Sequence, residues 1–149
     1  KINHKEVAGL TDSRRMVLRI VQQAKKSLKA YDILERLQKE KPNAQPPTVY
    51  RALHFLVESG YLHRVNSNQT YTVCQFEGQK DSSHQGQMDI LFVCHQCSKV
   101  AEVMDPVFSA LLTQLSQQQQ FQLDSSAVEF EGLCHRCNEK LTGRDHDAV

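Results

Sequence analysis

The chain has no tryptophan, only six phenylalanines and four tyrosines, and no apolar run near the roughly 20 residues that cross a bilayer. A membrane-spanning helix is thereby excluded. With 40% apolar residues there is material for a core, but two modest cores fit better than one aromatic-rich one. No stretch combines a basic start, an apolar segment and a small-residue cleavage site, so a cytoplasmic location is expected. Enzyme signatures are missing as well. No H-x-E joined to P-C-x-x-C, no H-E-x-x-H and no nucleophile elbow occurs, which argues against a catalytic metal, a catalytic residue set and a small-molecule substrate.

What is present begins with a charge asymmetry hidden by the net charge of +1. Residues 1–75 carry 13 Lys and Arg against 6 Asp and Glu, and residues 76–149 carry 5 against 11, so +7 and −6 sum to that total. A basic half attracts phosphate backbones and an acidic half does not, which points to a polyanion-binding module followed by one with another task. Chance clustering of charge is the bland alternative.

Hydrophobic periodicity predicts a helix from Thr11, with Val17, Ile20, Val21 and Ala24 on one stripe and Thr11 or Ser13 as its cap. A second helix carries Ala30, Ile33, Leu34 and Leu37 and must stop before Pro42. The pair Pro46-Pro47 opens a third, which Gly60 ends. Two β-rich runs, Tyr61 to Val65 and Thr70 to Gln75, flank the turn-forming Asn66 to Gln69. Three helices and a hairpin make a winged helix-turn-helix. The polar, aperiodic segment 77–87 reads as a linker between a domain of residues 1–76 and one of residues 88–149. Beyond it the pattern predicts strands at Ile90 to Val93 and Val100 to Met104, a helix from Asp105-Pro106 that fades into Gln117 to Gln120, a strand at Ala127 to Phe130, and a polar tail. The fold class is α+β: a winged-helix domain followed by a small α/β domain.

Two constellations carry chemistry. Cys94-His95-Gln96-Cys97 and Cys134-His135-Arg136-Cys137 form paired C-x-x-C knuckles, and four thiolates suit tetrahedral Zn²⁺ with no position left open. Such a site is structural, and the 36 residues between the knuckles must fold so as to bring them together. A thioredoxin-like redox pair or inert buried thiols are the alternatives. The third helix divides by face: Val49, Ala52, Leu53, Leu56 and Val57 lie inward, and Thr48, Tyr50, Arg51 and His54 can lie outward near its start. This is the layout of a recognition helix, in which an Arg pairs with guanine O6 and N7 in the major groove of double-stranded DNA. An amphipathic surface helix would look the same, but the basic charge and the hairpin favour DNA.

The string Pro-Pro-Thr-Val-Tyr-Arg-Ala-Leu at 46–53, the segments Glu58 to His63 and Tyr71 to Cys74, and both knuckles resemble the ferric uptake regulator family over nearly the whole chain. Within it, Cys74 followed by a histidine-poor linker is similar to the zinc uptake regulators. The resemblance implies a homodimer whose C-terminal domain dimerises and which, when zinc-loaded, binds operator DNA and represses zinc-import genes. It further implies a regulatory zinc site of His63, Cys74, His84 and Glu102, and hence two zinc ions per protomer. A thiolate in that set favours zinc over iron. Ligands drawn from wing, linker and second domain would let metal set the spacing of two DNA-binding arms. An iron or manganese sensor is the alternative on the same scaffold. The chain departs from the family pattern at Thr11-Asp12, at Lys29, and in a histidine cluster reduced to His84.

Overall fold

The computed structural model describes residues 9–75, 87–124 and 127–143. The chain divides into two compact units, Lys1–Arg64 with Gln69–Cys74, and Val65–Asn68 with Gln75–Val149. Most of the expected linker, including His84, lies outside the described residues.

In the first unit, helix α1 (Asp12–Gln23) begins at Thr11, whose hydroxyl accepts from the Arg14 N–H. It buries Val17, Leu18, Ile20 and Val21, the stripe its 3.6-residue period requires. Strand β1 (Leu28–Lys29) leads directly into α2 (Ala30–Glu40). Lys29 stands at the cap without a capping hydroxyl, and the Asp32 carboxylate instead accepts the Lys29 N–H at 3.3 Å. Helix α3 (Pro46–Glu58) tolerates two prolines because their missing donors fall in its first turn. It ends at Gly60, whose φ of +80° is left-handed backbone that costs a glycine little. The Arg14 guanidinium sits 3.7 Å above the Phe55 ring, tying the start of α1 to α3.

Strands β2 (Leu62–Val65) and β3 (Thr70–Val73) follow, and the sheet order is β1-β3-β2. The two-residue β1, unforeseen in the sequence, pairs Leu28 with Tyr71 and Lys29 with Thr70. So short a strand has no periodicity of its own. Only its tertiary partner makes it one. Val17, Leu28, Ile33, Leu37, Val49, Leu53, Leu56 and Leu62 fill the core, each contributing roughly 1.5–3 kcal/mol on full burial. Three helices with this sheet form a winged helix.

In the second unit, β4 (Asp89–Cys94) is the centre of a sheet ordered β5-β4-β6, with β5 spanning Val100–Met104 and β6 Ala127–Gly132. Strand β5 runs antiparallel to β4. The chain then crosses through α4 (Pro106–Gln118), capped by the Asp105 carboxylate on the Phe108 N–H at 2.8 Å, and β6 returns parallel on the far side of β4. Residues after the last knuckle are not wholly a polar tail as expected. Helix α5 (His135–Thr142) starts at Cys134 and buries Cys137. Eight residues with one buried anchor are too few to show a clear period in the sequence.

One face of this sheet carries Asp89, Leu91 and Val93 on β4. Strand register places Val100, Glu102 and Met104 of β5, and Ala127, Glu129 and Glu131 of β6, beside them. Leu91 and Val93 pack with Val65 of the same unit, all three fully or almost fully buried.

Candidate metal centres and nucleic-acid interface

The two knuckles meet because of strand order. Strand β4 ends at Cys94 and its parallel neighbour β6 ends at Gly132, which pairs with Cys94 and stands two residues before Cys134. The first knuckle then turns back: Ser98 takes a left-handed φ of 62°, its N–H donates to the Cys94 carbonyl, and the Cys94 N–H donates to Lys99. The His95 N–H donates to the Gly132 carbonyl at 3.0 Å, stitching one knuckle to the other. All four Sγ atoms of Cys94, Cys97, Cys134 and Cys137 fall within 4.8 Å of one another, and none is in a disulfide.

The Cys97 and Cys134 sulfurs are 3.8 Å apart. Sulfurs about 2.3 Å from a central zinc ion stand about 3.8 Å apart at tetrahedral angles, so the cluster fits that ion. Its electrostatics agree. Burial works against the Cys94 thiolate, but the amides of Cys134, Cys97 and Gln96 and the Cys97 thiol outweigh it and bring the group down to about 6. Cys137 is pushed up to about 12 by burial, then by the surrounding thiols of Cys134, Cys97 and Cys94. Burial and the neighbouring thiols thus disfavour the Cys137 thiolate. Full ionisation requires a cation at the centre.

Three of the other expected metal ligands, His63, Cys74 and Glu102, lie among the described residues. In the first unit, His63 on β2 and Cys74, one residue beyond β3, are both nearly buried, and an imidazole nitrogen lies within 4.8 Å of Cys74 Sγ. The Cys74 N–H donates to the Tyr61 carbonyl at 3.0 Å, which continues the β2–β3 pairing past the formal end of β3. In the second unit, Glu102 stands in the middle of β5, 8% exposed, and its Oε2 accepts the Gln75 N–H at 2.9 Å. Asp89, only 2% exposed, presents a carboxylate oxygen within 4.8 Å of one from Glu102. Sequence reasoning overlooked Asp89. Its signal was an acid opening an otherwise apolar strand, and only the strand register places it beside Glu102.

On α3 the expected division of faces holds. Val49, Ala52, Leu53 and Leu56 are buried, Val57 is half-buried, and Tyr50, Arg51 and His54 are exposed. Thr48 is half-buried in the first turn, with its N–H on the Gln45 carbonyl. No helix among the described residues is long and apolar enough to cross a membrane.

A winged helix followed by a sheet unit closed by a four-thiolate cluster defines a class of two-part, metal-holding regulators. The chain belongs to the ferric uptake regulator family, whose profile matches residues 6–131. Its relatives are regulators, not enzymes. It is 36% identical over 130 residues to the zinc uptake regulation protein of Escherichia coli (strain K12), an alignment covering 87% of this chain and 73% of that protein. A zinc uptake regulator solved in complex with zinc and DNA matches with a TM-score of 0.80 and 34% identity, over 89% of this chain and 85% of the other. The crystal structure of holo XcZur matches with a TM-score of 0.74 and 29% identity, over 87% and 86%.

Proposed function

We propose that this chain is a zinc-responsive transcriptional repressor which, when zinc-loaded, binds double-stranded operator DNA as a homodimer in the cytoplasm and controls zinc-uptake genes. Each protomer holds two zinc ions. The first is structural, in Cys94, Cys97, Cys134 and Cys137. The second is regulatory, taking His63, Cys74 and Glu102, with His84 or the buried Asp89 as a further donor. Residues 1–76 are the DNA-binding domain, 77–87 the hinge and 88–149 the dimerisation domain. Thr48, Tyr50, Arg51 and His54 face the DNA, with Arg51 the base reader.

The observation that carries this reading is the His63 and Cys74 pair, a soft donor set on the wing sheet, separate in chemistry from the closed four-thiolate cluster. Four buried thiolates held by one sheet suit a structural ion that stays bound. Mixed nitrogen, sulfur and oxygen donors bind more weakly and can follow free zinc. The dimer is supported by apolar side chains left outside the second unit's core: Phe92 and Phe130, stacked at 6.0 Å and each about half exposed, and Val107, Leu111 and Leu115 at helical spacing on α4.

The test is a zinc titration of DNA binding by fluorescence anisotropy, with promoter fragments selected by the zinc-loaded protein. Cys74→Ser is expected to lose the zinc response while remaining folded and keeping one zinc per chain. A wild-type response in that variant would overturn the regulatory assignment. A specific observation favours one other reading: Asp89 and Glu102 offer two hard carboxylates, the donors iron and manganese prefer. Titration with ferrous or manganous ion in place of zinc decides between them, the Cys74 thiolate predicting that zinc acts at the lower concentration.

A further inference from the structure

The sheet of the second unit presents three residues in one cross-strand row. Leu91 of β4 pairs with Glu102 on one side and with Glu129 on the other, so both carboxylates point to the same face with Leu91 between them. The outer two stand about 10 Å apart, two strand spacings. Each accepts from backbone amides of residues that belong to the same unit. Glu102 takes the Gln75 N–H at 2.9 Å. Glu129 takes two successive donors of the β2–β3 turn, Asn66 N–H on Oε1 at 2.5 Å and Ser67 N–H on Oε2 at 3.0 Å. Val65, fully buried, packs with the central Leu91.

The row therefore fixes residues 65–67 and residue 75 of the chain. Between and beside those points run the two residues that supply the wing's donors: His63 lies two positions before Val65, and Cys74 lies immediately before Gln75. Two adjacent N–H groups converging on one carboxylate form a charge-assisted anion nest, stronger than two neutral bonds and directional. Such bonds restrict the backbone whether or not a metal is present.

On the reading that His63 and Cys74 bind a regulatory zinc ion, we infer that Glu129 is a positioning residue for that site: by clasping the amides of Asn66 and Ser67 it preorganises the wing's donors without itself touching the metal. A ligand binds more weakly when the competent backbone is only partly populated, by the factor of that population. Glu129 keeps that factor near one. Gln at the position retains the shape but offers one carbonyl oxygen in place of two charged acceptors. Asp retains the charge on a shorter stem.

The test measures both zinc affinities of the full chain by competition with a chromophoric chelator, in the absence of DNA. Glu129→Gln and Glu129→Ala are expected to weaken the weaker zinc site by roughly tenfold, with the tightly held zinc and the thermal midpoint of the protein holding that zinc alone unchanged. Glu129→Asp is expected to recover part of the loss. Unchanged affinity of the weaker site in Glu129→Gln overturns the proposal, and so does loss of both ions together, which would make Glu129 a support of the fold and nothing more. Cys74→Ser serves as the control. If it abolishes the weaker site and Glu129→Gln does not, the clasp alone is wrong. If the weaker site survives Cys74→Ser, the site reading beneath it is wrong, and the clasp with it.

Discussion

The four-thiolate cluster and the wing pair draw on the same soft sulfur chemistry but are built on different kinds of support. Cys94, Cys97, Cys134 and Cys137 sit at the ends of two strands hydrogen-bonded to each other, with left-handed backbone at Ser98 and a helix starting at Cys134. Their sulfurs fall within 4.8 Å of one another, with those of Cys97 and Cys134 3.8 Å apart. His63 and Cys74 sit instead on a short hairpin, one on β2 and the other just past the end of β3. A site held within one rigid sheet suits permanent occupancy. On the proposed reading the regulatory site also needs Glu102, and donors that must be brought together suit exchange, because the affinity then includes the cost of assembling them.

The largest effect should come from breaking the permanent site. On the proposed assignment Cys97→Ser removes a ligand of the structural zinc, and structural zinc in small domains supplies apparent binding free energies of about 10–16 kcal/mol. The second unit is expected to lose its zinc and its cooperative unfolding, read by metal content and by amide exchange across β4 and β6, while α1 to α3 keep their protection. Protection retained in β4 and β6 after zinc loss would erase the contrast between the two sites.

Proton competition sharpens the same contrast. Cys137, held up at about 12, is protonated throughout the neutral range, so zinc must expel its proton on binding. The affinity of the cluster should therefore fall by at least about tenfold for each unit of falling pH. Below about 6 the Cys94 thiolate is also protonated, and the slope should steepen there. Chelator competition from pH 8 to pH 5 measures this directly, and a flat profile would contradict the assigned ligands.

The smallest predicted effect lies in the first unit and leaves both metal sites intact. Arg51→Ala should weaken specific DNA binding by about 1–3 kcal/mol, the worth of one base contact. Binding to unrelated DNA should change far less. Equal losses on both would make Arg51 a phosphate contact instead of a reader of bases.

Much of this was legible in the residue pattern, for reasons that can be named. The helices α1 to α3 follow from apolar spacing and from Pro46, Pro47 and Gly60, all local signals. The knuckles are legible because thiol pairs three positions apart have few other uses in such numbers. The strand β1 and the helix α5 were not, since each is too short to show a period and β1 exists through its partners, Tyr71 and Thr70. His84 lies outside the described residues, so its part in the site rests on the resemblance alone.

The sequence by itself determined which chemistry this protein carries: four thiolates in paired knuckles, a cysteine and a histidine in the wing, a helix with one apolar and one polar face, and a basic half before an acidic one. Tertiary structure alone decided that two further acids, Asp89 and Glu129, stand on the same sheet face as Glu102. Asp89, Glu102 and Glu129 are far apart in the chain and ordinary in composition, and they share one face only because β4 pairs in a given register with β5 and β6. Periodicity along a strand tells which side a residue faces. Nothing along it says which residue of another strand will stand alongside, because that register is set by the packing of the whole sheet.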